Sequence, residues 1–595
     1  MTSSAFCRAL CPALLLACLS LLATPHAAQA QDDDLPAVTN TYAITNARVV
    51  QAPGQVLDRA TVVIRDGLIV DVGADAAIPV EAETIAGDSL TVYAGFIDGL
   101  SHAGVTDPET SGDDDVEDPG NPPLDRAGIQ PDRDVRALLD PSENSVEALR
   151  KAGFTAAHAV PQGRMLPGTG ALVLLAGADG NAMVLRDQTA LFAQFEGARG
   201  GFPNTVYPST AMAVISQMRQ IYREAERRKM LTARYNQSPR GMERPPSDAA
   251  HTALFPVIDG ERPVFFHTEG FLEMYRALDL QTELGFPVAL TGLNQAYKGI
   301  DALQAAGAPL FLTLDLPEAE EEDAPADTAA ADTTEAPPPT DVENQDIMYD
   351  RNLRVRVFED TEAEEENLGA RQVMTQEEYF SNAAAVHEAG LPFGFTSMGA
   401  SAGDIPANLH TMVEHGLPEG AALAALTTDA AELLGVSDQL GTVETGKIAN
   451  LVLTDGNYFA EDTKVMHVFV DGHKFDYASA DASAPVSEEV AQAALGTWDY
   501  TVSTPGGEAS GTIEIARDGD TIAGTISSPQ GEATDLKNLS LDGQSLSFEF
   551  DGGQQVGGQL SVSVTLDGET FEGSVSVPNA GSFPITGERT SGPEA

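Results

Sequence analysis

The side chains able to do chemistry in this 595-residue chain are imidazoles and carboxylates. There are 10 histidines against 90 aspartates and glutamates, and the three cysteines, Cys7, Cys11 and Cys18, all lie at the N-terminus. Beyond Cys18 there is no thiolate to attack a substrate, build a cysteine-rich zinc site or form a disulfide. What remains is metal-assisted or acid–base chemistry, which requires imidazoles and carboxylates to converge. Few places offer them in a usable pattern. Asp98-Gly99-Leu100-Ser101-His102 carries a carboxylate and an imidazole four residues apart. Pro263-Val264-Phe265-Phe266-His267-Thr268-Glu269 reads as a strand, and strand alternation points His267 and Glu269 to one face. His158 sits in the apolar run 154–160, Asp315 ends the run 309–315, and Asp404 follows the run 392–398. A metal site built from His102, His158, His267 and Asp315 is one constellation to test. Ser397 and Ser401 lack the Gly-x-Ser-x-Gly elbow of a nucleophilic serine. Arg164, Gly168 and Gly170 lie in a segment that reads as an anion-binding or plain surface loop, and His387, His410 and His415 lie on predicted helices as packing or surface groups.

These residues need a scaffold, and the hydrophobic pattern supplies one. Residues 41–95 alternate as short strands: 42–50, 61–64, then Asp66-Gly67 as a tight turn into 68–70. From 96 to 435 apolar runs of four to six residues alternate with helical stretches, which implies βα units and a parallel sheet or barrel. The clearest helix spans 211–229, with Met212, Ile215, Met218, Ile221 and Tyr222 as its apolar face. Residues 436–476 return to strands, 477–495 read as a linker, and 496–595 as a small all-β module whose Asp-Gly pairs mark hairpins and whose core is plugged by the single tryptophan, Trp498. Residues 318–346 hold Glu, Asp, Ala, Pro and Thr without one basic residue and read as a disordered insert.

Two segments carry a family resemblance. Val92-Tyr93-Ala94-Gly95-Phe96-Ile97-Asp98 resembles the first barrel strand of the amidohydrolase superfamily, in particular its imidazolonepropionase-like members. Gly441-Thr442-Val443-Glu444-Thr445-Gly446-Lys447-Ile448-Ala449-Asn450-Leu451-Val452 resembles the segment by which such chains leave the barrel, and 430–435 the helix before it. The resemblance covers roughly 41–476. It implies an α/β fold: a (β/α)8 TIM-type barrel over 96–435, a composite flanking β-sandwich from 31–95 and 436–476, and beyond them a C-terminal antiparallel β barrel or sandwich module. It also implies hydrolysis of non-peptide carbon–nitrogen bonds, of cyclic-amide type, at the C-terminal ends of the barrel strands.

The ligand set implied by the same resemblance is incomplete. Leu100 stands where the first histidine of an Asp-x-His-x-His arm is expected, and His102 keeps the second. His267 fits the histidine of strand 5. Thr291 replaces that of strand 6, Met398 replaces the aspartate of strand 8, and no convincing strand-4 lysine is present. The metal ligands carried over are therefore His102 and His267, with one divalent ion, zinc, held weakly or not at all, because zinc usually takes at least three protein ligands. The expectations are a hydrolase with an altered metal site, a catalytically silent relative that binds a small molecule or pairs with an active homologue or a second copy, or a scaffold that displays the β module for envelope binding.

Composition narrows the setting. Residues 1–30 read as a signal peptide, with Arg8 before the apolar run and Ala28-Gln29-Ala30 as cleavage site, which places the chain as exported and periplasmic. Leu15-Leu16-Ala17-Cys18 offers an alternative lipoprotein reading. A net charge of −57 repels nucleic acid and anionic lipid surfaces. It fits a protein with no nucleic-acid partner and no membrane span, and adaptation to a salty habitat accounts for it.

Overall fold

The computed structural model describes residues 41–106, 116, 118–198, 206–317, 376–461, 463–477 and 494–591, the last stretch with short breaks at 505–506, 519–520, 528–532, 543–544, 552–558, 569 and 578–580. The signal, the insert 318–346 and most of the linker 477–495 lie outside the described residues.

Both flanks of the chain meet in one sheet. Strands Thr41–Ala52, Gln55–Arg65, Leu68–Gly73, Glu83–Ala86 and Thr91–Ala94 join Leu451–Thr454, Val465–Val470 and His473–Asp476. Thr91–Ala94 is the hinge of this arrangement, parallel to Thr41–Ala52 on one side and antiparallel to Leu451–Thr454 on the other. The predicted sandwich is thus a single eight-stranded sheet. Ile44, Val49, Val62, Ile64, Val92, Leu451, Leu453 and Phe469 share its own core. Asp66 takes φ 50° and Gly67 φ 77°, the two positive values of the predicted hairpin turn.

The middle of the chain is a mixed α/β domain. Phe96–Ser101 and Phe154–Ala159 pair in parallel in one sheet. Leu191–Gln194, Val264–His267, Val288–Leu293, Leu310–Thr313 and Gly394–Thr396 run in parallel in another. The helices Ala211–Gln237, Phe271–Leu284, Asn382–Glu388 and Ile405–Glu414 bury apolar residues in a core shared with strand residues such as Phe266, Leu290 and Leu312. Between Phe154–Ala159 and Leu191–Gln194 the parallel pattern gives way. Ala171–Leu174 runs antiparallel to Phe154–Ala159, and Gly168–Thr169 antiparallel to Leu191–Gln194. The reason is in the link 160–170: a parallel crossover needs about a dozen residues or more, usually a helix, and Pro161, Gly163, Pro167, Gly168 and Gly170 cannot form one.

The helix predicted at 211–229 extends over Ala211–Gln237, with Thr210 Oγ1 accepting from the Ala213 N–H at 3.3 Å. Its buried face is Val214, Met218, Ile221, Tyr222 and Ala225. Met212, expected on that face, is 82% exposed. The stripe starts two residues later, since Val214, Met218, Ile221 and Ala225 keep the three-to-four spacing that Met212 breaks. Among the described residues no helix is long and apolar enough to cross a membrane.

The C-terminal module is a nine-stranded antiparallel sheet in which Gly496–Thr504 pairs with the last strand, Gly581–Ser591. Trp498 is buried in its core at 5.6 Å from the Phe571 ring, and its indole N–H donates to Ala494 O at 2.9 Å.

No ladder links the first strand of the α/β domain, Phe96–Ser101, to the last, Gly394–Thr396; side chains join them. Asp98 is fully buried. Its Oδ1 accepts from the N–H groups of Leu100 (3.1 Å) and Ser397 (3.0 Å), and its Oδ2 accepts from the Ser397 hydroxyl. The Thr396 hydroxyl donates to Leu100 O across the same seam. Removing the carboxylate strands buried donors, each costing about 1–3 kcal/mol. Asp98→Ala is therefore expected to destabilise the protein by roughly 3–5 kcal/mol, read as a fall in the urea midpoint, while Asp58→Ala on the exposed edge of Gln55–Arg65 leaves it unchanged.

Candidate functional site

The C-terminal ends of the parallel strands define a rim, and strand register fixes who shares it. Gln194, His267 and Thr291 are aligned partners on three successive strands, and Thr313 is aligned with Thr396 on the next two. The strand-4 position that sequence reading left blank is Leu191–Gln194, which ends in a neutral amide. Gln194 Nε2 donates to Gly163 O at 2.6 Å. The signal that could have found it is the short apolar run Ala190-Leu191-Phe192-Ala193, easily passed over because no charged residue closes it.

His267 lies at the rim with its side chain 15% exposed, and its Nε2 is 3.8 Å from Glu269 Oε1. Alternation thus brings this pair together as expected. The neighbouring His267 imidazole holds the Glu269 carboxyl below its usual pKa. The other ring nitrogen, Nδ1, is buried without a hydrogen-bond partner. The ring packs against strand Val288–Leu293 at Gly292, where φ is +77° and a Cβ would overlap the imidazole. His102 has its Nδ1 2.8 Å from Val160 O and its ring edge-on to Phe192 at 6.2 Å.

His158 does not join them. It is fully buried, with Nε2 2.6 Å from Thr189 Oγ1 and its ring 4.5 Å from that of Phe265. Burial pushes its pKa down to about 4, so it is a neutral core histidine. Asp315 is exposed at the end of Leu310–Thr313, beside Gly399. Its carboxyl is nonetheless partly shielded from water by its neighbours, and this desolvation, with the nearby charges of Glu269 and Asp404, pushes its pKa up. The four-residue constellation of His102, His158, His267 and Asp315 is therefore not assembled. Among the described residues no group of three or more histidines, aspartates or glutamates could hold a metal ion. Four of the remaining candidates have local partners. Arg164 pairs with Glu196 at 2.7 Å, His410 Nδ1 lies 2.9 Å from Phe459 O, His415 Nδ1 lies 2.8 Å from Thr411 O, and Ser397 is bound to Asp98.

Below the rim the interior is filled. Leu100, Val160, Ala190, Phe192, Phe265, Ala289 and Phe311 form one buried cluster, with Met398 packed against it. Gly99 makes room for this filling, since a Cβ there would overlap the Phe311 ring. Leu100 is fully buried and so is Thr291. Two of the three positions that differ from the expected ligand set, Leu100 and Met398, thus belong to an apolar plug. A divalent ion beside them would lose hydration without gaining ligands. The described residues at the rim do not fit a family-type metal centre.

The comparisons with known proteins agree with this scaffold. The sequence pattern of the amidohydrolase family matches residues 240–474. The fold resembles that of an amidohydrolase from Thermotoga maritima MSB8, at 18% identity and a TM-score of 0.54, covering 73% of this chain and 100% of that one. An adenosine deaminase from Xanthomonas campestris with bound zinc aligns at 15% identity over 73% of this chain and 92% of that one, with a TM-score of 0.33. No protein of curated function matches the sequence. The matched stretch belongs to the amidohydrolase superfamily, and the domain around it is of the TIM-barrel type.

Asp98 and His158 titrate against each other. Burial raises the Asp98 pKa to about 6 from 3.8, so the stability it contributes is complete below 3.8 and is lost as pH rises through 6. For His158 the folded value of about 4 lies below the free value of 6.5, so its contribution is present above 6.5 and lost as pH falls through 4. In wild type the two slopes largely cancel between pH 4 and 6. His158→Leu removes one of them. Its stability relative to wild type should then fall as pH rises from 4 to 6, by on the order of 3 kcal/mol, in urea titrations at fixed ionic strength. A pH-independent difference between the two proteins would refute the assignment.

Proposed function

We propose that this chain is a catalytically silent relative of the amidohydrolase hydrolases, in which the barrel rim serves to bind a small molecule or to seat an active homologue. The observation that carries this reading is the apolar plug: Leu100 and Met398 pack with Phe192, Phe265 and Phe311 where the family chemistry requires groups able to hold an ion and move a proton. In this reading the two sheets of the α/β domain act as one barrel-type ring around that plug, with the Asp98–Ser397 seam as its closure. The sequence features of residues 1–30 and the charge of −57 support an exported, periplasmic protein.

One observation favours a second reading, metal-assisted hydrolysis of cyclic-amide-type carbon–nitrogen bonds at an altered site. His267 and Glu269 face the rim together, and His267 keeps a ring nitrogen without a partner. Elemental analysis separates the two. The purified protein, loaded with excess zinc and then dialysed, is expected to keep far less than one zinc per chain and to leave hydantoin and dihydrouracil unhydrolysed. Stoichiometric zinc that is lost in both His102→Ala and His267→Ala, together with turnover of either compound, would replace the first reading by the second.

A further inference from the structure

The acidic character of the chain breaks at one stretch. Residues 219–244 hold seven arginines and one lysine against three glutamates, a local charge of +5 in a chain whose net charge is −57. The stretch begins within helix Ala211–Gln237 and runs into the loop that follows it. No residue of the helix beyond Ala225 is buried, so its last turns cover no core. Arg223, Arg227, Met230 and Arg234 recur at intervals of four, three and four and form one stripe opposite the buried Met218, Ile221 and Ala225. All four are exposed, Met230 by 57%. The loop that carries Arg240 and Arg244 is pinned back to the helix at Arg228, whose guanidinium donates to Pro246 O at 2.8 Å and lies 3.6 Å from the Asp248 carboxylate. Other cations here are also spent within the fold: Arg219 pairs with Glu283 at 2.6 Å, Arg223 with Glu226 at 2.9 Å, and Lys229 with Asp259. The guanidinium groups of Arg227, Arg234, Arg240 and Arg244 are exposed and have no ion pair or hydrogen bond among the described residues.

We propose that this stripe docks an acidic polypeptide segment of another protein, whose carboxylates meet the four unpaired arginines while its apolar side chains cover Met230. Charge complementarity sets the sign of the partner. Adaptation to salt accounts for a surface of carboxylates, and it does not account for arginines gathered on one helix end and its loop. Arginine outnumbers lysine seven to one in the stretch, and its planar fork pairs bidentately with carboxylates where lysine offers a point charge. The apolar groups set the class of partner. Met230 stands exposed between Arg227 and Arg234, with Tyr235 and Met242 half-buried nearby in sequence, and a phosphate polymer or an acidic polysaccharide has nothing to lay on them. A long uniform polyanion would also meet the field of the whole chain, whereas a segment with a few carboxylates meets mainly the local one, because charges beyond about 10 Å are screened at physiological salt. The stripe takes no residue from the rim, and the proposal does not depend on whether the rim binds a metal or a small molecule.

The test is fluorescence anisotropy of the full-length protein with three labelled probes: a peptide of alternating glutamate and leucine pairs, the same peptide with serine in place of every leucine, and inorganic polyphosphate. The glutamate–leucine peptide is expected to bind saturably and several-fold more tightly than the other two, and to weaken several-fold as sodium chloride rises from low to physiological concentration. The double variant Arg227→Glu with Arg234→Glu should weaken it by roughly tenfold or more, and Met230→Ser by several-fold. Arg48→Glu with Arg59→Glu, which makes the same change in net charge on the sheet of the two flanks, should leave binding unchanged. No binding of the glutamate–leucine peptide, polyphosphate binding as tightly, or equal losses in the two double variants would overturn the proposal. So would self-association of the protein in sedimentation velocity that disappears in Arg227→Glu with Arg234→Glu, which would give the stripe to a second copy of the chain. Should circular dichroism show that this variant does not fold, Arg240→Glu with Arg244→Glu decides: it lies in the loop, outside the helix, and peptide binding that survives it unchanged rules the stripe out.

Discussion

A carboxylate without a counter-charge holds the α/β domain together. Asp98 is fully buried, and among the described residues its partners are N–H and O–H groups of Leu100, Ser397 and Ser101. Burying an anion in this way is unfavourable, as the rise of its pKa to about 6 shows. It is tolerated because the alternative is worse. Strands Phe96–Ser101 and Gly394–Thr396 share no ladder, so their facing backbone groups would otherwise go unpaired in a dry interior. One side chain with several acceptor sites satisfies both strands at once, and it fixes where Leu100 and Ser397 sit relative to each other.

That position determines what the rim can do. With Leu100 held next to the seam, its side chain fills the space beneath the rim alongside Phe311 and Phe265. Cation chemistry and an apolar plug compete for the same volume, and the plug is made of large side chains whose removal would leave cavities. Restoring one ligand at position 100 would therefore not restore a metal site. The replacement would also have to reopen the interior and supply the neutral position at Gln194 with a charge. In the proposed reading, the departure from a family-type centre is thus spread over several elements, each of them well packed.

Much of the scaffold was legible in the sequence because it rests on periodicity and turns. The strands at 42–50 and 451–453, the turn at Asp66-Gly67 and the alternation that pairs His267 with Glu269 follow from local rules and appear as read. What the sequence hid depends on tertiary placement. Nothing local distinguishes His158 in a wall of Phe265 and Thr189 from a histidine pointing into a mouth, since both sit on an apolar strand. The strand Leu191–Gln194 was missed because its only mark is a short apolar run. The antiparallel pieces after Pro161 were missed because a resemblance to a regular barrel supplies a parallel strand by default. Of the inward face of the long helix, Met218, Ile221 and Tyr222 follow from periodicity, whereas Val214 and Ala225, small and unremarkable in the pattern, emerge only from the packing.

The place of His267 in the fold has a packing explanation of its own. Its ring packs against Gly292, whose missing side chain leaves the space that the imidazole fills. A smaller residue would leave a void there, and a larger one would collide with the backbone of the next strand. The slot is sufficient reason for an imidazole, with or without an ion. The same argument applies to Gly99, which has no bearing on catalysis but cannot be replaced while Phe311 lies over it. Retained motif residues in this chain are therefore explained by packing first, and a histidine at a ligand position counts as a ligand only when a second and third group reach the same point. Among the described residues of this rim, none do.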